Sequence, residues 1–418
     1  MMKLKHNFKK GTAVALTAAL LAGLVPALPG AAVSVKAAGG TTKSPSVSTY
    51  ATKDQLMDDT FKPDREGSAW HYGRLLFGKN SRGSAQQWYI LGKDSGVSGD
   101  NTILFATSPI AKDKKFNSSE NNKTDSNLWS ECDYYGGTSV KEVFANHYGA
   151  SDLRAALKTM AENTSYFTTA EQGLMNPTTV TTWDNRNFCE YLTTDKLYAL
   201  AADGNKATSI KAGTGDSVVL DTKSYWSSEN RFWLRMPYDG ENWHHALYVH
   251  PGQNVNECKV DETLTAQPAS NLNLSSVSFA SAAKAASSDT AVTDKIGFSK
   301  AIMTLRLNGS DKNIGTVTYN TTTGDIKAVK GSTSQPVSLV VQGNDGTNDW
   351  YYSKQITGTE TINESAIASE TYTPASIDLS ACKIWLETTD STENLTYAVS
   401  ATEATRSSIS SVAITDIE

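Results

Sequence analysis

Between Tyr238 and Asn254 the chain crowds flat rings and hydrogen-bonding tips together: Tyr238, Asp239, Asn242, Trp243, His244, His245, Tyr248, His250 and Asn254. Exposed rings offer stacking surface at small entropic cost, and Asn and Asp bridge pairs of hydroxyl or peptide groups. These residue types at this density suit recognition of a ligand. The competing reading is that some of the rings fill a core. Along Trp243–His250 the alternation puts Leu247 and Val249 on one face of a strand and Tyr248 and His250 on the other. One face is therefore expected inward and the other is expected to present polar rings.

Other chemistries are less well served. His244, His245, His250 and Cys258 carry metal-ligand atoms, but adjacent histidines on a strand point to opposite faces. No CxxC, HExxH or Asp/Asn calcium loop accompanies them, so no metal and no cofactor is assigned. The tripeptides Glu241-Asn242-Trp243 and Trp183-Asp184-Asn185 are similar to calcium-lectin tripeptides, a match too short to identify a site. There is no GxSxG, no GxxxxGK[ST] and no GxGxxG after a strand, and no catalytic residue is assigned. A glycan hydrolase remains the alternative, and it requires two carboxylates facing each other across a cleft. Arg235, inside an apolar run, reads as a buried structural arginine paired with a carboxylate or carbonyls.

The elements that must position these residues are mostly strands. Trp88–Leu91 and Thr102–Ala106 read as a hairpin around the Gly- and Asp-rich Gly92–Asp100, and the polar stretch 113–125 reads as an exposed loop. Ser151 caps a helix in which Leu153, Ala156, Leu157 and Met160 recur at helical spacing. Thr168 and Glu171 form a capping box ahead of a short helix through Met175, which Asn176-Pro177 ends. From Met303 onward, short alternating runs at 303–307, 315–319, 337–341, 350–352 and 383–386 predict a β-sandwich of immunoglobulin-like type.

Composition narrows the setting. Hydrophobic residues make up 39% and charged residues 20% of the 418, a polar, uncharged balance typical of exported β-rich proteins. Basic Met1–Lys10, apolar Thr12–Leu28 and the small residues around Lys36 read as a signal peptide over 1–37. No other apolar run is long enough to span a membrane, so no integral membrane segment is expected in the mature chain. Removing the leader takes away five lysines and no acids, leaving 33 basic residues against 44 acidic ones. That balance excludes nucleic acid as a partner, because phosphate binding needs clustered Lys and Arg. The expected location is extracellular, secreted or at the cell surface. Four cysteines, Cys132, Cys189, Cys258 and Cys382, allow three pairings, and the sequence does not choose among them.

The order of segments over 70–283 resembles DUF6273, a domain family of exported Gram-positive bacterial proteins. Gln87-Trp88-Tyr89-Ile90-Leu91 resembles its early strand, Asp152-Leu153-Arg154 its "DLRxxL" helix, and Phe167-Thr168-Thr169-Ala170-Glu171 its "FTxxE" helix start. Tyr225-Trp226-Ser227-Ser228, Phe232–Pro237 and Ala246–Val249 are similar to "WWLRSPG" followed by "AxYV". The stretch 267–277 is similar to "VRPALNLNLSSV", with Gln267 in place of the usual Arg and Met236 in place of Ser. This resemblance implies an α+β domain distantly similar to C-type lectin-like and formylglycine-generating-enzyme-like folds. Its aromatic stretch would lie on or beside the ligand face, and the Trp233 and Leu272 strands would share a sheet. The expected organisation is a linker at 38–69, the DUF6273-type domain at 70–283, a linker at 284–294 and the β-sandwich at 295–418. The function expected is non-catalytic binding of a glycan, glycoprotein or cell-wall polymer at the cell surface. A receptor diversified by a retroelement and a surface-layer structural component are further alternatives.

Overall fold

The abundance of β-branched and aromatic residues in short runs produces a chain that is 48% strand and 15% helix, arranged in several sheets. The computed structural model describes residues 50–400 except 67–68, 72, 125–127, 138–139, 203–208, 222–230, 241, 251–253, 283–290, 295–301, 345–348, 369–376 and 389–393. The leader and the Tyr225–Ser228 motif lie outside the described residues. Among the described residues no helix is long and apolar enough to cross a membrane.

The hairpin Ala85–Ile90 with Asn101–Ala106 forms as expected, pairing Trp88 with Ala106 and Ile90 with Leu104. Residues 50–61 differ from the expectation of a linker. Tyr50–Thr52 pairs with Val277–Ala282, and Leu56 and Phe61 are buried in the main core. The polar stretch 113–125 is also not all loop, because Ala111–Lys114 is a strand and Phe116 and Asn117 are buried.

Both helices begin where their caps predict. Ser151 Oγ accepts the Arg154 amide at 3.0 Å at the head of Asp152–Glu162, and Leu153, Leu157 and Met160 pack into the core. Arg154 reaches across to Asp195 with two hydrogen bonds, of 2.8 and 3.1 Å. The helix thereby holds the hairpin Thr178–Asp184 and Cys189–Asp195, whose turn enters the functional argument below. Glu171 closes its capping box at the head of Thr169–Leu174, and its carboxylate also accepts from Gly78 N and Asn394 Nδ2.

The boundary expected at 284–294 does not interrupt the largest sheet. Ile302–Asn308 carries Val277–Ala282 along one edge. Along the other it pairs in parallel with Arg74–Lys79 at residues 302–303 and with Leu395–Ser400 at residues 305–308. Met303, Leu305 and Leu395 join the core of the preceding region. Beyond that seam, Gly315–Asn320, Asp325–Lys330 and Thr359–Ile362 form a separate three-stranded sheet. Its alternate residues Val317, Tyr319, Ile326 and Ala328 share one core with Leu339, Val341, Tyr352 and Leu386 of the large sheet.

Phe232–Pro237 belongs to a five-stranded sheet, whereas Ala269–Asn273 belongs to the large sheet. The Trp233 and Leu272 strands therefore do not share a sheet, contrary to the lectin-like expectation. The chain passes from one sheet to the other at Gln267-Pro268, and proline cannot donate the ladder hydrogen bond that would continue the strand Leu264–Ala266.

Candidate functional site

Three antiparallel strands, Phe232–Pro237, His245–Val249 and Val255–Lys259, carry the residues singled out above. Both faces of the central strand are covered. Leu247 and Val249 pack into one core cluster with Phe232 and Leu234, while Ala246 and Tyr248 pack into the other with Trp233. The expectation of a polar, outward face therefore fails at Tyr248. This residue is only 7% exposed and sits edge-on to Trp233 at 6.4 Å, with Arg231 over its ring. Burial raises its phenol pKa. The remaining residues divide between the strand's two ends. His250 and Asn254 flank the Val249–Val255 pair, and Tyr238, Asp239, Asn242, Trp243, His244 and His245 gather at the other end, about 15 Å away along five residues of strand. The nine residues do not form one patch.

The Trp243 end is built as a turn. His245 N donates to Asn242 O at 2.9 Å, which leaves Trp243 and His244 as the central residues of a β-turn and pushes their side chains outward. Trp243 is 48% exposed. One side of its indole stacks on Phe144 at 5.5 Å and 22°, and Arg186 lies 5.4 Å from the centre of the Phe144 ring. Arg186 is fixed in turn by Glu142 at 2.6 Å, and Asn122 Nδ2 donates to the other oxygen of that carboxylate. Asn146 Nδ2 holds His245 O, and Asn185 Nδ2 donates to Tyr238 O. Burial lowers the His245 pKa, with His244 adding to the effect, so the ring is neutral at physiological pH. Three segments distant in sequence, 142–147, 184–188 and 238–245, thus meet around one exposed indole.

The turn of the 178–195 hairpin is the least expected part. Asp184, 1% exposed, accepts from Arg186 N at 2.9 Å, Asn187 N at 3.1 Å and Asn187 Nδ2 at 2.8 Å. Asn187 Nδ2 also donates to Glu142 O. The turn closes through Phe188 in the left-handed region, at φ 51°, a conformation that costs a residue with a Cβ about 1–2 kcal/mol. Phe188 is 79% exposed, so burial does not offset that cost. Trp183 and Tyr135 nearby are also exposed large rings, one on this hairpin and one beside the strand Asp133–Tyr134 that pairs with it. Sequence reasoning missed Phe144, Arg186 and Phe188. The signal available was Trp183-Asp184-Asn185-Arg186-Asn187-Phe188, a turn-forming Asp/Asn cluster flanked by aromatics.

A buried polar layer underlies this turn. The His147 ring stacks on Tyr191 at 4.1 Å and 14°. His147 Nδ1 accepts from Ala150 N, so the neutral ring carries its proton on Nε2, 2.8 Å from Tyr134 Oη. Tyr134 hydrogen-bonds Asp184, whose Oδ2 lies 3.7 Å from His147 Nε2. Burial, aided by Arg154, drives the His147 pKa down to about 3, and burial pushes the neighbouring Cys132 thiol up to about 12. Cys132 and His147 both crowd Gly149, yet both are neutral near pH 7. A catalytic cysteine needs a thiolate or an imidazole able to take its proton, so this pair is packing.

A groove of about 490 Å³ opens beside the head of the Asp152–Glu162 helix. Three carboxylates line it: Glu131 is tied to Arg154 and Lys158, Asp152 is tied to Lys123, and Glu162 ends the helix. Lys123 and Ser118 hold the Asp152 pKa below its usual value against burial, the opposite of the shift a glycosidase acid needs. Arg235 is fully buried, bonded to Asp216, Ala199 O and Thr181 O, a structural role as anticipated. No disulfide joins Cys132, Cys189, Cys258 or Cys382, and Cys258 packs against the main core with its thiol pushed up to about 12 by burial. Among the described residues no group of three or more His, Cys, Asp or Glu side chains is placed to hold a metal ion. No protein-family model, curated protein or solved structure matches the chain.

Proposed function

We propose that this chain is an exported, non-catalytic binding protein of the DUF6273 type, acting at the cell surface or in the medium on a glycan, whether free, on a glycoprotein or in a cell-wall polymer. The observation that carries the reading is Trp243, an indole held half-exposed on a turn and backed on one side by Phe144. Its open surface is the kind on which the apolar face of a pyranose stacks. Asp239 and Asn242 on the same loop are exposed and able to bond hydroxyls.

The family resemblance and the signal peptide contribute the exported setting and rest on sequence motifs alone. The Trp233 and Leu272 strands lie in different sheets, so the C-type lectin-like likeness lends this reading no support. For the region after 295, two sheets sharing one core support an immunoglobulin-like sandwich. In this reading that region braces the binding region through the common sheet.

The test is a glycan and mucin array probed with the purified chain, with and without calcium. Selective binding that disappears in Trp243→Ala supports the proposal. Binding that survives the substitution assigns recognition to another surface.

A further inference from the structure

We infer that the turn of the 178–195 hairpin is a second stacking position of the same site, and that the ligand is a saccharide polymer of several units that engages Phe188 as well as Trp243. The inference rests on the reading above and adds the length class of the ligand. Phe188 occupies a left-handed turn position that Gly or Asn would fill without strain, yet its phenyl is 79% exposed. Neither the backbone nor a core accounts for a phenylalanine there, which leaves the exposed ring itself as the reason.

The turn is rigid. Asp184 fixes two of its backbone amides, and Asn187 and Arg186 are bolted to Glu142. Asn185 ties the turn to Tyr238 O, on the loop that presents Trp243. A preorganised ring loses little entropy when a ligand arrives. Arg186 lies over the Phe144 ring on which Trp243 stacks, so the turn that carries Phe188 and the loop that carries Trp243 share one set of braces.

A saccharide polymer suits a pair of exposed rings on one braced surface, because its flat C–H faces alternate with hydroxyl and acetamido groups and successive units can each offer a face to a ring.

The test titrates the full chain with β-1,4-linked N-acetylglucosamine oligomers of one to six units. Affinity is expected to rise at least tenfold from dimer to hexamer. In Phe188→Ala that rise is expected to vanish while dimer affinity stays within twofold, and Trp243→Ala is expected to lose both. Phe188→Asn, which removes the ring and suits the turn, separates loss of contact from loss of fold, because its melting temperature should not fall. If Trp243→Ala abolishes binding but Phe188→Ala leaves the length dependence intact, the second position is overturned and the Trp243 site stands. If Trp243→Ala leaves dimer affinity unchanged, the underlying reading fails. A wild-type chain that binds no member of the series, or binds all lengths equally, overturns the polymer assignment.

Discussion

Two buried carboxylates, Asp184 and Glu387, are satisfied in similar ways but serve different ends. Asp184 accepts three hydrogen bonds from Arg186 and Asn187, within three residues of itself, and holds a turn out into solvent. Glu387 accepts from Ser281 Oγ, Arg306 and Trp385 Nε1, and two of these donors come from strands 81 and 106 residues away. Arg306 also reaches Thr396 and Thr304, so four strands of the large sheet, 277–282, 302–308, 383–388 and 395–400, converge on one buried ion pair. The same chemistry therefore orders a surface locally in one place and closes the sheet across a long chain separation in the other. Loss of Glu387 should be felt as global stability, and loss of Asp184 mainly as binding.

The largest effect is expected at the seam. Glu387→Ala leaves Arg306 charged and uncompensated in the interior, a cost of about 3–5 kcal/mol, measurable as a lowered urea midpoint for the whole chain. An unchanged midpoint would mean that water reaches the seam. Tyr248→Ala comes next, at about 3 kcal/mol or more, because it empties a core position against Trp233. Trp243→Ala, on the turn that leads into the same strand, should leave the melting temperature within a few degrees. Equal destabilisation by the two would contradict the division between core ring and surface ring.

Asp184→Ala removes a buried acceptor and is expected to cost about 1–3 kcal/mol. Hydrogen exchange should quicken first at residues 185–188, and uniform quickening would erase the contrast with Glu387. The pH dependence comes from His147. Its pKa is about 3 when folded, against a reference of 6.5, so below pH 6.5 the unfolded chain binds the extra proton. Stability should therefore fall with acidification by up to about 1.4 kcal/mol per pH unit between pH 6.5 and 3. In His147→Gln that part of the slope should be missing, and an unaltered slope would show that the ring takes up its proton while folded. The smallest effect is Phe188→Asn, a gain of at most about 1 kcal/mol from relieved strain.

Local signals in the sequence were legible where chemistry and structure are neighbours in the chain. Ser151 and the Thr168–Glu171 pair marked both helix starts, and the alternation around Trp88 and Leu104 marked their hairpin. Alternation around Tyr248 was read correctly as a strand but not as one covered on both faces, because burial of the second face depends on Trp233 and on strands far along the chain. Trp243 was visible as a candidate since its exposure follows from a local turn. Phe144 and Arg186 were not, because they reach Trp243 only through tertiary packing of three segments. The linker expected over 38–69 takes in a strand and a helix that bury Ala51 and Leu56 for the same reason: Tyr50–Thr52 pairs with Val277–Ala282, far along the chain.

The most direct test of the central claim is a paired measurement on wild type and Trp243→Ala, comparing glycan-array binding and melting temperature on the same preparations. The account predicts that selective glycan binding drops at least tenfold, about 1.4 kcal/mol or more, while the melting temperature holds. Intact binding, or a melting temperature that collapses with it, would contradict the claim that Trp243 is a surface platform for a glycan.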